Sequence, residues 1–165
     1  MTSVDSSSTW KPPGALERHR ILSNAQSIAV VGASSKPSRA SNFVMTYLTA
    51  SLCHFDVYPI NPGEQEVMGL KCYPSLADLP VVPDVVDVFR RAEDCPGIAR
   101  EAIDVGAETL WLQLGIWSDE AAAIASEAGL NVVMNRCTKI EHARFAGGLH
   151  LAGFDTGVIS SHRHR

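Results

Sequence analysis

The chain has 165 residues, 45% of them apolar and 19% charged, and a formal net charge of −4 from 14 Lys and Arg against 18 Asp and Glu. That length suits one domain with short appendages, and folding at this size hides roughly 70% of the surface an unfolded chain exposes. The balance excludes a wholly disordered, collagen-like or coiled-coil chain and a membrane span, since no run approaches ~18 apolar residues without a charge; the lack of a basic excess speaks against a nucleic-acid surface.

Residues 1–9 are rich in Ser and Thr and read as a disordered tail. The opening MTSVDSSSTWKPPG has no apolar core behind its polar start, so it does not read as a secretory signal. Within 10–24, ALERHRILSNA is predicted as a short amphipathic helix with Leu16, Ile21 and Leu22 on one side. SIAVVGAS, from Ser27, reads as a buried strand, and SRASNFVMTYLTAS as a helix capped by Ser38 with Phe43, Val44, Tyr47 and Leu48 at helical spacing. HFDVYPINPG is a second strand, halted at Asn61-Pro62-Gly63. EVMGLKCYPSLADLP reads as a short strand or turn and one helical turn. DVVDVFR is a third strand, before a helix that carries Ile98, Ala102 and Ile103 and ends at Gly106. TLWLQLG is a fourth. Ser118 is placed to cap a helix with Ala121, Ile124, Ala125 and Ala128 inward, stopped by Gly129. NVVMNRC is a fifth strand and TKIEHARF a last helix.

Strands apolar on both faces, alternating with helices, predict an α/β fold: a doubly wound, Rossmann-like parallel sheet of about five strands with helices on both faces, over 25–145. Residues 146–165 form a Gly-rich C-terminal extension, whose His162 and His164 read as a solvated tail; no metal site is expected. The four cysteines make no C-x-x-C pair, which excludes a zinc ribbon and a thioredoxin motif. With no export signal, the expected compartment is the cytoplasm and the thiols are expected to be reduced.

Ligands of open parallel sheets bind at the carboxyl ends of the strands. There the sequence puts five of its 14 basic residues: Lys36, Arg39, Arg90, Arg91 and Arg136. One basic rim on an acidic protein, beside helix N-termini, suits a phosphorylated ligand. A G-x-G-x-x-G dinucleotide loop would need Gly at 32, 34 and 37, where the chain has Gly32, Ser34 and Pro37. Asn61 stands where an acid would grip a ribose. Both departures argue against an ordinary NAD site. The loop still offers backbone N–H groups and the hydroxyls of Ser34, Ser35 and Ser38 to phosphate oxygens.

Six blocks in order, VVGASSKPSRASNFV, YPINP, G-LKCYPSLADLP, DVVDVFRRAE, LWLQLGI and GLNVVMNRC, resemble the CoA-binding domain family. These are small Rossmann-like bacterial proteins, similar to the N-terminal domain of the succinyl-CoA synthetase α subunit. The resemblance runs from about Ser27 to about Phe145. It implies a domain that binds coenzyme A at the strand ends. By position, Gly32, Ala33, Ser34, Lys36, Ser38 and Arg39 would hold phosphates and Asn61 and Pro62 would border the adenosine. Phe89 and Arg90 would flank the cofactor, and Gln113, Gly115 and Ile116 would line the pantetheine path. The family commonly has Asp before Arg-Cys in the last block; here Asn135 takes that place.

Cys137, beside Arg136 and close to Lys139 at the start of the last helix, is expected to have a lowered pKa and to be able to form a mixed disulfide with CoA. Trp111 reads as core, while Trp117 is open to packing or to covering a ligand. Neither His142 nor His150 has a carboxylate or nucleophile at meaningful spacing, and no catalytic residue is assigned. The leading expectation is a non-catalytic CoA-binding protein that takes CoA or an acyl-CoA. The alternatives are an NAD(P)-dependent oxidoreductase, a thiol enzyme working through Cys137, and a CoA-binding subunit of a separate acyl-CoA synthetase.

Overall fold

Apolar runs without alternation must be covered on both faces, and the strands of this chain are built from such runs. In the computed structural model, which describes residues 9–146, the strands are β1 (Ser27–Val31), β2 (Asp56–Ile60), β3 (Glu66–Val67), β4 (Leu70–Lys71), β5 (Val85–Val88), β6 (Thr109–Leu112) and β7 (Asn131–Val133). β1, β5 and β6 are buried at every position. The helices are α1 (Ala15–Asn24), α2 (Ala40–Leu48), α3 (Cys95–Val105), α4 (Asp119–Glu127) and α5 (Thr138–Arg144).

Five strands form one parallel sheet in the order β2-β1-β5-β6-β7. Chain direction across the sheet therefore reverses between β1 and β5, where Val31 pairs with Val88. Alternation along the strands splits the core in two. Ala29, Val31, Val86, Val88, Leu110 and Leu112 meet the alanine-rich faces of α3 and α4. Ile28, Val30, Val85, Trp111 and Val133 meet Ile21 and Leu22 of α1 and Val44, Met45 and Leu48 of α2. Full burial of each such side chain contributes roughly 1.5–3 kcal/mol. Trp111, wholly buried as expected, also donates Nε1–H to the Arg136 carbonyl at 2.8 Å.

The ambiguous segment after β2 is an antiparallel pair, β3 with β4, followed by a 3-10 turn at Leu76–Asp78. Met68 and Gly69 join the pair with φ of 53° and 78°, the geometry of a tight hairpin turn. Ser118 caps α4 as expected, accepting from Ala121 N–H at 3.1 Å.

Four helix expectations are corrected. Leu16 is 67% exposed, because the buried stripe of α1 is Arg18, Ile21 and Leu22 and position 16 falls off it. Phe43 is 61% exposed, because α2 buries Ser41, Val44, Met45 and Leu48, one step around the helix. Ala128 is exposed, lying past the last turn of α4. Ser38 does not cap α2: Arg39 is the N-cap residue, and no side chain caps this helix. A turn closed by Arg39 N–H to the Lys36 carbonyl at 3.0 Å places Ser38 one residue too early.

α1 is tied into the domain rather than appended to it. Arg18 and Glu141, both buried, form an ion pair between α1 and α5. Arg18 also donates to the Pro13 carbonyl at 2.8 Å, and Arg144 lies 3.3 Å from Glu141. Residues 1–8 and 147–165 lie outside the described residues, and with them most of the expected tail, the extension, His150, His162 and His164.

Candidate functional site

A cavity of about 980 Å³ opens at the carboxyl ends of the strands, where the sheet reverses direction. That volume is at the upper end of small-molecule sites. The loop after β1 forms one wall. Gly32 and Ala33 donate their N–H groups to the Ile60 carbonyl at 3.0 and 3.2 Å, which folds this loop over the end of β2. Gly32 has φ +89°, and a Cβ there would lie 2.9 Å from the Phe89 carbonyl oxygen. Only glycine lets the loops after β1 and β5 approach so closely.

Short polar bonds set the rest of that wall. The Ser34 hydroxyl accepts from Lys36 N–H at 3.1 Å, and Asn42 donates to the Ser34 carbonyl at 3.0 Å. Asn61 donates to the Ala33 carbonyl at 2.8 Å and accepts from Gly63 N–H at 2.8 Å. Glu64 accepts from the Ser35 N–H at 3.1 Å and from the Ser35 hydroxyl. Glu64 is an acid at the β2 rim that the sequence pattern did not reveal. The turn Asn61–Glu64 swings it back toward the loop after β1.

Of the residues predicted at the site, Gly32, Ser34, Lys36, Arg39, Asn61, Phe89, Arg90, Gln113, Ile116 and Cys137 line this one cavity. Ala33 is fully buried in the core and is not part of the lining. Ser38 and Pro62 are exposed outside the lining. Gly115 is also outside, its N–H held by Asn135 Oδ1 at 2.7 Å. Asn135, with φ +58°, turns the chain there, and Arg136 stands exposed off the cavity. Arg91 pairs with Glu93 at 3.2 Å instead, since successive side chains of an extended segment point opposite ways. The five-residue basic rim thus reduces to Lys36, Arg39 and Arg90 at the cavity. Arg90 is held by Asp94 at 3.2 Å, whereas Lys36 and Arg39 make no ion pair among the described residues. Sequence reasoning missed Ala40, Ser41, Phe43, Val44, Gly63, Leu114 and Ile140, which also line the cavity.

Beneath the lining lies a buried polar cluster. Gln113 Nε2 donates to Asp87 Oδ1 at 2.7 Å and to Thr138 Oγ1 at 2.9 Å, and Thr138 Oγ1 donates to Asp87 Oδ2 at 2.9 Å. Burial pushes the Asp87 carboxyl up from 3.8 to about 7, although the bonds from Gln113 and Thr138 favour its charged form. Asp87 went unnoticed in the sequence, although a lone carboxylate inside an apolar strand was the signal.

Cys137 overturns its expectation. Its pKa is raised above the ordinary thiol value, chiefly by burial. The backbone N–H groups of Ile140 and Lys139 and the Lys139 charge do favour the thiolate, as the helix-start argument held, but burial outweighs them and the Asp87 charge adds to it. Trp117 resolves to packing: it meets Trp10 edge-on at 5.7 Å and donates to Asp119 at 2.9 Å, outside the cavity lining. Among the described residues no three His, Cys, Asp or Glu side chains gather as a metal site, and no helix is long and apolar enough to cross a membrane.

A family model described as a CoA binding domain matches residues 26–143. The chain belongs to the CoA-binding domain family. The match spans β1 to α5 and so includes every strand that borders the cavity. The Bacillus subtilis (strain 168) protein YneT is 36% identical over 131 residues, covering 79% of this chain and 96% of that protein. A solved structure, a hypothetical protein from Pyrococcus horikoshii OT3, superposes with TM-score 0.77 at 42% identity, covering 84% of this chain and 98% of that one. The ADP-forming acetate–CoA ligase II of Archaeoglobus fulgidus is 30% identical over 87 residues; the match takes in 53% of this chain and only 13% of the ligase. The CoA-binding domain here is thus related to the CoA-binding part of acyl-CoA synthetases.

Proposed function

We propose that this chain binds coenzyme A in the cavity at the β1–β5 crossing and holds it without transforming it. The observation that carries the reading is the convergence of Lys36, Arg39 and Arg90 on one cavity whose wall is the uncapped start of α2. Free first-turn N–H groups and clustered cations both favour phosphate oxygens, and CoA carries three phosphates. The side chain of Asn61 is engaged by Ala33 and Gly63, and Glu64 by Ser35, so neither supports the ribose contact of a nicotinamide dinucleotide. Calorimetry with CoA and with NAD tests the reading. CoA binding with weak or no NAD binding supports it, and tight NAD binding without a CoA signal overturns it.

The raised Cys137 thiol favours holding over reacting. A mixed disulfide belongs to oxidising conditions: Cys137 Sγ, as thiolate, attacks CoA disulfide, forms the protein–CoA S–S bond and releases one CoA thiolate. Within a cell we place the protein in the cytoplasm, where such a bond would be transient. A subunit role beside a separate synthetase is favoured only by the partial ligase match, and co-purification of a stable partner from native cells is its test.

A further inference from the structure

The cavity lining holds two kinds of side chain. Lys36, Arg39, Arg90, Asn61 and Glu64 are charged or polar, and Phe43, Leu114, Ile116 and Ile140 are apolar. Three of these apolar side chains are largely open: Phe43 is 61% exposed, Leu114 65% and Ile140 52%. They come from three separate elements, the first turns of α2 and α5 and the turn after β6. Single exposed apolar residues are ordinary, but three converging on one concave site mark a surface that a ligand covers.

In free CoA the apolar surface is confined to the adenine ring, which is tied to the phosphates, and to the two geminal methyl groups of the pantetheine arm. An acyl-CoA extends that arm beyond the sulfur with its acyl group. We propose that Phe43, Leu114 and Ile140 of this lining form an acyl subsite, and that the preferred ligand is a CoA thioester of an uncharged apolar acyl group rather than free CoA. This rests on the CoA reading above. Lys139 Nζ lies 3.8 Å from the Phe43 ring centroid and 5.9 Å from that of Tyr47, which fastens the Phe43 ring between α2 and α5. The apolar wall is therefore formed before a ligand arrives. A cysteine kept protonated in the same cavity leaves a bound thioester intact, since the thiolate is the attacking form.

The test is a calorimetric series on the full chain with CoA and with acetyl-, butyryl-, hexanoyl-, octanoyl- and succinyl-CoA. Affinity should rise about fourfold per added methylene before levelling off, and butyryl-CoA should bind more tightly than succinyl-CoA. Phe43→Ser and Ile140→Ser, both at exposed positions, should each lower the octanoyl-CoA to CoA affinity ratio at least fivefold. A flat series with CoA itself still bound overturns the acyl subsite and leaves the CoA reading standing. No binding of any ligand overturns both. Succinyl-CoA binding more tightly than butyryl-CoA overturns the apolar assignment in favour of a carboxylate at Lys139. A flat series with a dimer, seen by light scattering, that dissociates in Phe43→Ser assigns the face to contact between copies and also overturns the proposal.

Discussion

Gln113 donates its side-chain N–H to Asp87 at 2.7 Å, and both side chains are buried beneath the cavity that Gln113 lines. The carboxyl of Asp87 is raised from 3.8 to about 7 by that burial. Between those two values the folded chain keeps a proton that the unfolded chain has lost. Stability from this group is therefore full below the lower value and is lost as pH rises toward about 7. Asp87→Asn mimics the protonated acid. It should match the unmutated protein near pH 4 and exceed it at pH 8 by up to about 4 kcal/mol. His142, lowered by burial, contributes with the opposite sign, but it is present in both proteins and cancels in the difference. Urea unfolding of both proteins across this range checks the prediction. Parallel pH profiles would refute it.

Gly32→Ala places a methyl 2.9 Å from the Phe89 carbonyl at φ +89°. Backbone strain of order 1–3 kcal/mol results, because neither the loop nor β5 can give way cheaply. We expect a lower urea midpoint and a CoA affinity at least tenfold weaker. Unfolding curves and calorimetry on the same sample measure both.

Arg90→Ala should leave stability nearly unchanged, because the Arg90–Asp94 pair is partly exposed and such pairs are worth about 0–1 kcal/mol. If Arg90 meets a CoA phosphate, the variant should lose roughly 1.5–3 kcal/mol of CoA binding and much less for pantetheine. An equal loss for both ligands would make Arg90 a structural residue.

The Arg18–Glu141 pair should be sensitive to loss of one partner. Glu141→Ala strands a buried guanidinium at the α1–α5 contact and should cost about 3–5 kcal/mol. Replacing both residues with apolar ones of similar size should recover most of that loss. Thermal unfolding of the single and double variants decides.

Incubation with CoA disulfide should modify Cys137 slowly at pH 7 and faster as pH rises, still climbing beyond the ordinary thiol value of 9.0, because burial raises its pKa. Peptide mass mapping reads the yield, with Cys53, Cys72 and Cys95 as internal controls. CoA uptake that is unchanged in Cys137→Ser would exclude this cysteine as the site.

The five parallel strands, the helices between them and the edge that carries the cavity were legible in the sequence alone. Each of these comes from local patterns: unbroken apolar runs need cover on both faces, and parallel strands need crossovers that leave loops at one end. The family resemblance came from blocks along the chain for the same reason. Tertiary structure decided the features that depend on direction and depth. Arg90 faces the cavity while Arg91 does not, because neighbours on an extended segment diverge. Phe43 looked like core by its spacing, yet it stands at the cavity because the buried stripe of α2 lies one step around the helix. Cys137 has both the helix start and the cation that lower a thiol pKa, and the pKa still rises, because loss of water is a property of everything packed around a group and not of its neighbours in the chain. Asp87 and Thr138 are 51 positions apart and meet only because β5 and α5 close over the same space.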